Sequence, residues 1–187
     1  MKTDSSTHEV SVLPVVVVID TSEKAEAMAG VMDPSLLSSL CTASHLYADH
    51  PYPMLSIITS GAEPKMIKCW YMPFQPKRTD LVFKGENHMH RSLYMAIEEI
   101  RWLCRHLEHY EIAYEKPRIY MLNASEADDN ENGVIKALHL RMERGRCDFI
   151  EAVYGIGISA DGMSFDTLAQ GLAWIEKDLK LMKRNTF

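Results

Sequence analysis

Residues 15 to 19 read Val-Val-Val-Val-Ile and run directly into Asp20-Thr21-Ser22. A stretch that is apolar at every position is the pattern of a central parallel strand, which is covered on both faces and has no solvent side to alternate with. The polar residues that end it then mark the carboxyl edge of a sheet. Open α/β sheets hold their ligands at that edge, where the winding reverses. Asp20 and Ser22 are therefore the first candidate site residues, as oxygen donors to a cation or as caps of the following turn.

The rest of the chain alternates strand-like and helix-like segments, which predicts a doubly wound α/β fold: a mostly parallel sheet with helices on both faces. Asp33-Pro34 reads as an N-cap and first helical position, opening a helix with Leu36, Leu37, Leu40, Ala43 and Leu46 on one face. LSIITS and KMIKCWYM, separated by a break at residues 61–64, predict an antiparallel pair at one edge. After a long connection over residues 73–87, a helix presents Leu93, Ile97, Ile100, Leu103, Cys104 and Leu107 as an apolar stripe. RIYMLNAS reads as a strand, VIKALHLRMER as a helix and FIEAVYGIGI as a strand. The last helix carries Leu168, Leu172, Ile175 and Leu179, with Ser164 or Asp166 as its cap. Residues 1–13 read as a flexible N-terminal segment and residues 14–187 as a single domain.

Composition removes several functions. With 187 residues, 47% of them hydrophobic, the chain can bury one substantial core. A net charge of −6 and a pI near 5.7 do not fit a surface built to grip phosphates, so no direct nucleic-acid partner is expected. Cys41, Cys69, Cys104 and Cys147 stand singly, without CxxC spacing, and read as reduced core thiols of an intracellular protein. The longest apolar run, Val10–Ile19, is interrupted by Ser11 and Pro14 and is far shorter than a membrane helix. The opening MKTDSSTHE lacks the apolar core of a secretory signal, so a soluble protein is expected.

Other candidates carry less. His88 and His90 have a spacing that could pair two imidazoles on one side of an extended segment, but no third ligand follows at a defined spacing. The GIG at residues 155–157 lacks the lysine and the full glycine pattern of a phosphate loop. Ser60 lacks the upstream glycine of a nucleophile elbow, and the chain reads as a non-enzyme with no cofactor. Trp70, Tyr71 and Phe74 form an aromatic group that either docks a partner at the sheet edge or covers the core from a loop.

A strand ending in aspartate-x-serine-x-serine, a threonine ahead of a later helix and an aspartate ending another strand form the metal-ion-dependent adhesion site (MIDAS) of von Willebrand factor A (vWA) domains. The order of elements in this chain resembles that fold over nearly its whole length. Asp20 and Ser22 match the first two ligand positions, and Asn87 in Gly85-Glu86-Asn87 replaces the threonine. Lys24 stands at the second serine, and Ala124-Ser125 replaces the aspartate-glycine pair. The resemblance therefore implies a degenerate site without a metal, unless Glu126 or Asp128 substitutes.

Among intracellular vWA proteins, VVVVIDTS, SHLYADHPYPMLSIITS, CWYMP, SLYMAIEEI and PRIYMLNASEADD resemble the smaller vWA subunit of the transcription and repair factor TFIIH. That resemblance implies a nuclear, non-catalytic scaffold supporting transcription initiation and nucleotide-excision repair, with the factor's larger vWA subunit as partner. The family's cysteine-rich zinc module is not found in the residues up to Phe187. IDTSE, ITSGAEPK and GENHMHRSLYMA are similar to the proteasome's ubiquitin-receptor vWA subunit, which implies a docking role instead. A metal-dependent ligand-binding module is the third expectation.

Overall fold

The computed structural model describes residues 11–30, 36–43, 52–70, 76–124, 152–157 and 165–182. The all-valine stretch lies at the centre of the sheet. Strand β1 (Ser11–Asp20) pairs in parallel with β2 (Tyr52–Ser60) on one side. On the other side it pairs with the two-residue β4 (Ala113–Tyr114) and then with β5 (Arg118–Asn123), which in turn pairs with β6 (Ala152–Gly157). The antiparallel edge strand β3 (Lys65–Lys68) joins β2, so the order is β3-β2-β1-β5-β6.

Strand β1 begins four residues ahead of Val15, so Ser11–Leu13 belong to the sheet and not to an N-terminal segment before it. Pro14 is tolerated inside the strand for a local reason. The Val12 carbonyl accepts from Glu115 N, while Thr21 N donates to the Ser60 carbonyl. Even-numbered residues of β1 thus turn their backbone towards β4 and β5, odd-numbered ones towards β2. The N–H that Pro14 lacks falls where β4 has ended and β5 has not begun, between the pairs Val12–Tyr114 and Val15–Arg118.

Alternation along β1 divides the core in two. Leu13, Val15, Val17 and Ile19 face the side covered by helices α1 (Glu23–Glu26), α2 (Leu36–Ala43) and α4 (Leu168–Met182). Val12, Val16 and Val18 face α3 (Met89–His109). Val15 to Ile19 are fully buried, each worth on the order of 1.5–3 kcal/mol relative to exposure. The buried stripe of α3 is Met89, Leu93, Ala96, Ile100, Leu103, Cys104 and Leu107. Ala96 takes the buried place expected for Ile97, which is half-buried at the margin of the same core.

Helix α4 buries Leu168, Leu172, Ile175 and Leu179. Of its two expected caps, Ser164 lies outside the described residues and Asp166 gives way to Thr167. Thr167 Oγ1 accepts from Gln170 N at 3.2 Å, and Gln170 Oε1 accepts from Asp166 N at 2.9 Å, a variant of the capping box displaced by one residue at its backbone donor. The buried Tyr120 hydroxyl on β5 donates to Asp178 Oδ2 at 2.8 Å and ties the sheet to α4. Burial and that bond push its ionisation well above the usual tyrosine range. Burial likewise pushes the Cys41 and Cys104 thiols up to about 11. Among the described residues, no helix is long and apolar enough to cross a membrane. Asp33-Pro34, Leu46, the helix expected over residues 134–144, Tyr71 and Phe74 lie outside the described residues.

Candidate functional site at the carboxyl edge of the sheet

Because β1, β2 and β5 are parallel, their carboxyl ends fall together. Asp20 is the register partner of Ser60, and Ile19 is that of Leu122, which sets Asn123 beside Asp20 on the other flank. Asp20 is 0% exposed. A buried carboxylate is tolerable only if donors converge on it, and they do. Oδ1 accepts from Ser22 N at 2.9 Å; Oδ2 accepts from Ala124 N at 3.1 Å and from Asn87 Nδ2 at 3.0 Å. Ser22 caps α1, its Oγ accepting from Ala25 N at 3.3 Å.

Asn87 reaches this place because the loop before α3 is stitched to two neighbouring turns. Lys84 N donates to the Thr21 carbonyl at 2.9 Å and Ala62 N to the Lys84 carbonyl at 2.8 Å. Glu23 N donates to the Gly85 carbonyl at 3.0 Å, and Gly85 N returns a bond to Glu23 Oε1 at 3.2 Å. Gly85 has φ +70°, and a Cβ there would lie 2.8 Å from that of Ala62. Gly61 is as confined, with Thr21 O 2.9 Å from where a Cβ would stand. Only glycine fits either position. Two residues on, the Asn87 amide donates to Asp20 Oδ2 and, at 2.7 Å, to Asn123 Oδ1, while its Oδ1 accepts from Ser60 Oγ at 2.7 Å. The orientation of the amide follows from its neighbours: two acceptors face the nitrogen and one hydroxyl donor faces the oxygen. One side chain thereby joins the ends of β1, β2 and β5 to the entrance of α3.

A hard divalent cation at this edge would need converging oxygens. The position between Asp20 and Asn123 holds an amide nitrogen, and the backbone N–H groups of Ser22 and Ala124 also donate to Asp20. Donors cannot ligate a cation, so the residues present do not fit one. Lys24 is exposed on α1, and Glu126 and Asp128 lie outside the described residues. Among the described residues no group of three or more His, Cys, Asp or Glu is placed to hold a metal. His88 and His90 are not on an extended segment: α3 starts at Met89, and the two rings meet edge to face at 6.2 Å. Ser60 donates its hydroxyl to Asn87, an amide that cannot act as a general base.

The sequence aligned Asp20, Ser22 and Asn87 with one site, and the structure brings these three together. It adds Ser60 and Asn123, whose signal is positional: each is the last polar residue of a strand flanking β1. The aromatic candidates separate. Trp70 is 4% exposed and packs with the inner face of α3, so it covers the core and does not present a docking surface. Its Nε1 finds no acceptor among the described residues. Among the described residues, the large exposed aromatics are Tyr94 and Trp102 on α3 and Tyr110 at its C-cap. Trp102, 50% exposed, stacks on His106 at 5.3 Å, and Tyr110, 59% exposed, meets His106 edge-on at 4.8 Å.

No protein-family profile and no curated protein sequence matches the chain. Among solved structures, the manganese-loaded TRAP protein of Plasmodium vivax is similar with a TM-score of 0.50 at 14% identity, over 89% of this chain and 62% of that one. Proximal thread matrix protein 1 of the mussel byssus is similar with a TM-score of 0.49 at 10% identity, over 93% and 47%. The ArnB paralog VWA2 from Sulfolobus acidocaldarius has a TM-score of 0.43 at 16% identity, over 88% and 39%. The chain thus spans less than two thirds of the length of each. At these identities the likeness bears on the fold alone: a central, mostly parallel sheet with one antiparallel pair and flanking helices, similar to that of the TRAP structure.

Proposed function

We propose that the chain is a non-enzymatic, cofactor-free vWA-like module that acts through its protein surfaces. One observation carries this reading: at the sheet edge where such folds take ligands, the Asp20 carboxylate is buried and met by the molecule's own N–H donors. The exposed row Trp102, His106 and Tyr110 on α3 supports it, since aromatic side chains are enriched at the centres of protein interfaces. In its finer form the proposal is a nuclear scaffold subunit of the TFIIH core, paired with that factor's larger vWA subunit and supporting transcription initiation and nucleotide-excision repair without catalysing a step. The likenesses VVVVIDTS on β1, MLSIITS on β2 and SLYMAIEEI on α3 support that form.

Co-expression of the full chain with the larger vWA subunit, followed by gel filtration, tests it. A stoichiometric complex that survives EDTA and is lost with Trp102→Ala/Tyr110→Ala is expected. Recovery of proteasome regulatory-particle subunits from cells would favour the docking reading instead. A complex that forms only with Mg²⁺ and Asp20 would favour a metal-dependent ligand-binding module.

A further inference from the structure

We propose that the Asn87 amide occupies the place of a cation in this sheet, and that exchanging its nitrogen for oxygen turns the edge into a divalent-cation site. The inference rests on the reading of this edge as internally satisfied, and extends it to what a single atom decides. Asn87 Nδ2 lies 3.0 Å from Asp20 Oδ2 and 2.7 Å from Asn123 Oδ1, bridging oxygens on two strands as a small electropositive centre would. On the far side of the same side chain is the Ser60 hydroxyl, 2.7 Å from Oδ1. The side-chain atoms that meet that nitrogen are a carboxylate oxygen and an amide carbonyl oxygen, both hard donors.

Asn87→Asp is nearly isosteric. It preserves an oxygen for Ser60 to donate to, but sets a second carboxylate oxygen against Asp20 Oδ2 and Asn123 Oδ1 with no proton between them. Like charges at this separation repel strongly in a buried setting, and a hard cation relieves the repulsion. The native chain has no such repulsion to relieve, because its bridging group is a neutral donor.

The test compares melting of the full-length wild type, Asn87→Asp and Asn87→Asp/Asp20→Asn in EDTA and in millimolar Mg²⁺. The wild type is expected to melt at the same temperature in both. Asn87→Asp should fall by roughly 5–10 °C in EDTA and recover most of that loss in Mg²⁺, and the recovery should vanish in the double variant. Should Asn87→Asp not fold in either buffer, Asn87→Thr decides, since it supplies a neutral hydroxyl oxygen. Mn²⁺ added to the ¹⁵N-labelled threonine variant should broaden the amide signals of Ser22 and Ala124 and leave those of the wild type sharp. Variants indifferent to cations would overturn the inference while the cation-independent reading of the wild type stood. A wild type stabilised by Mg²⁺ through Asp20 would overturn both.

Discussion

Among the described residues, the carboxyl edge of the sheet and the outer face of α3 both present chemistry beyond core packing, and they are built in opposite ways. At the edge, polar groups are buried and meet one another: Asp20, Asn87, Asn123 and Ser60 form one network closed by backbone N–H groups. On α3 and its C-cap, Trp102 and Tyr110 are exposed aromatics that meet the His106 ring, and Tyr110 also that of His109. A region whose hydrogen bonds are made internally contributes to stability, whereas exposed aromatic area becomes favourable only on contact with another surface. On the proposed reading, the first region holds the fold and the second meets a partner.

Substitutions sharpen that contrast. Asp20→Ala should have the largest effect, about 3–5 kcal/mol in urea denaturation, because it strands Ser22 N, Asn87 Nδ2 and Ala124 N in a buried place. Asn87→Ala should cost less, about 1–3 kcal/mol by the same measurement, since Asp20 Oδ2 keeps its bond from Ala124 N and only the Ser60 hydroxyl and the half-buried Asn123 lose the Asn87 partner. Trp102→Ala should leave stability within about 0.5 kcal/mol and yet weaken partner binding about tenfold or more in a titration, as the loss of an aromatic anchor does. Equal destabilisation by Asp20→Ala and Trp102→Ala would erase the distinction between the two regions.

A third, smaller effect comes from the core itself. Cys41 and Cys104 ionise near 11 in the folded chain against 9.0 unperturbed, because burial disfavours the thiolate. A folded-state value raised in this way means the unfolded chain releases protons first as pH rises. The stability contribution is complete below pH 9 and is lost progressively up to about pH 11. Urea midpoints measured across that window should decline, and Cys41→Ala should flatten the decline.

Much of the architecture could be read from the residues because burial imposes periodicity. Val15 to Ile19, the α3 stripe through Leu93, Ile100 and Leu107, and the α4 stripe from Leu168 to Leu179 are each forced into register by the surface they cover. The antiparallel β2–β3 pair followed from its short connection at residues 61–64. What escaped the sequence lacks such repetition. Trp70 lies two residues past the end of β3 in an aromatic group without a repeat, and nothing in its spacing tells core from surface. Thr167 competes with Ser164 and Asp166 for the same cap, and hydrogen-bond geometry alone chooses. At the candidate site, Asp20, Ser22 and Asn87 were identifiable by their alignment with a known motif. That Asn87 acts as a donor, and that Ser60 and Asn123 complete its environment, depends on strand register, which pairs residues 20 and 60 and brings residue 123 alongside.

The central claim concerns one side chain, and amide exchange reads it directly. In ¹⁵N-resolved spectra of the wild-type chain, the two Asn87 side-chain protons should exchange slowly with water and keep their positions whether EDTA or millimolar Mg²⁺ is present. A rapidly exchanging pair, or one that shifts with Mg²⁺, would show that the amide does not close the edge of the sheet.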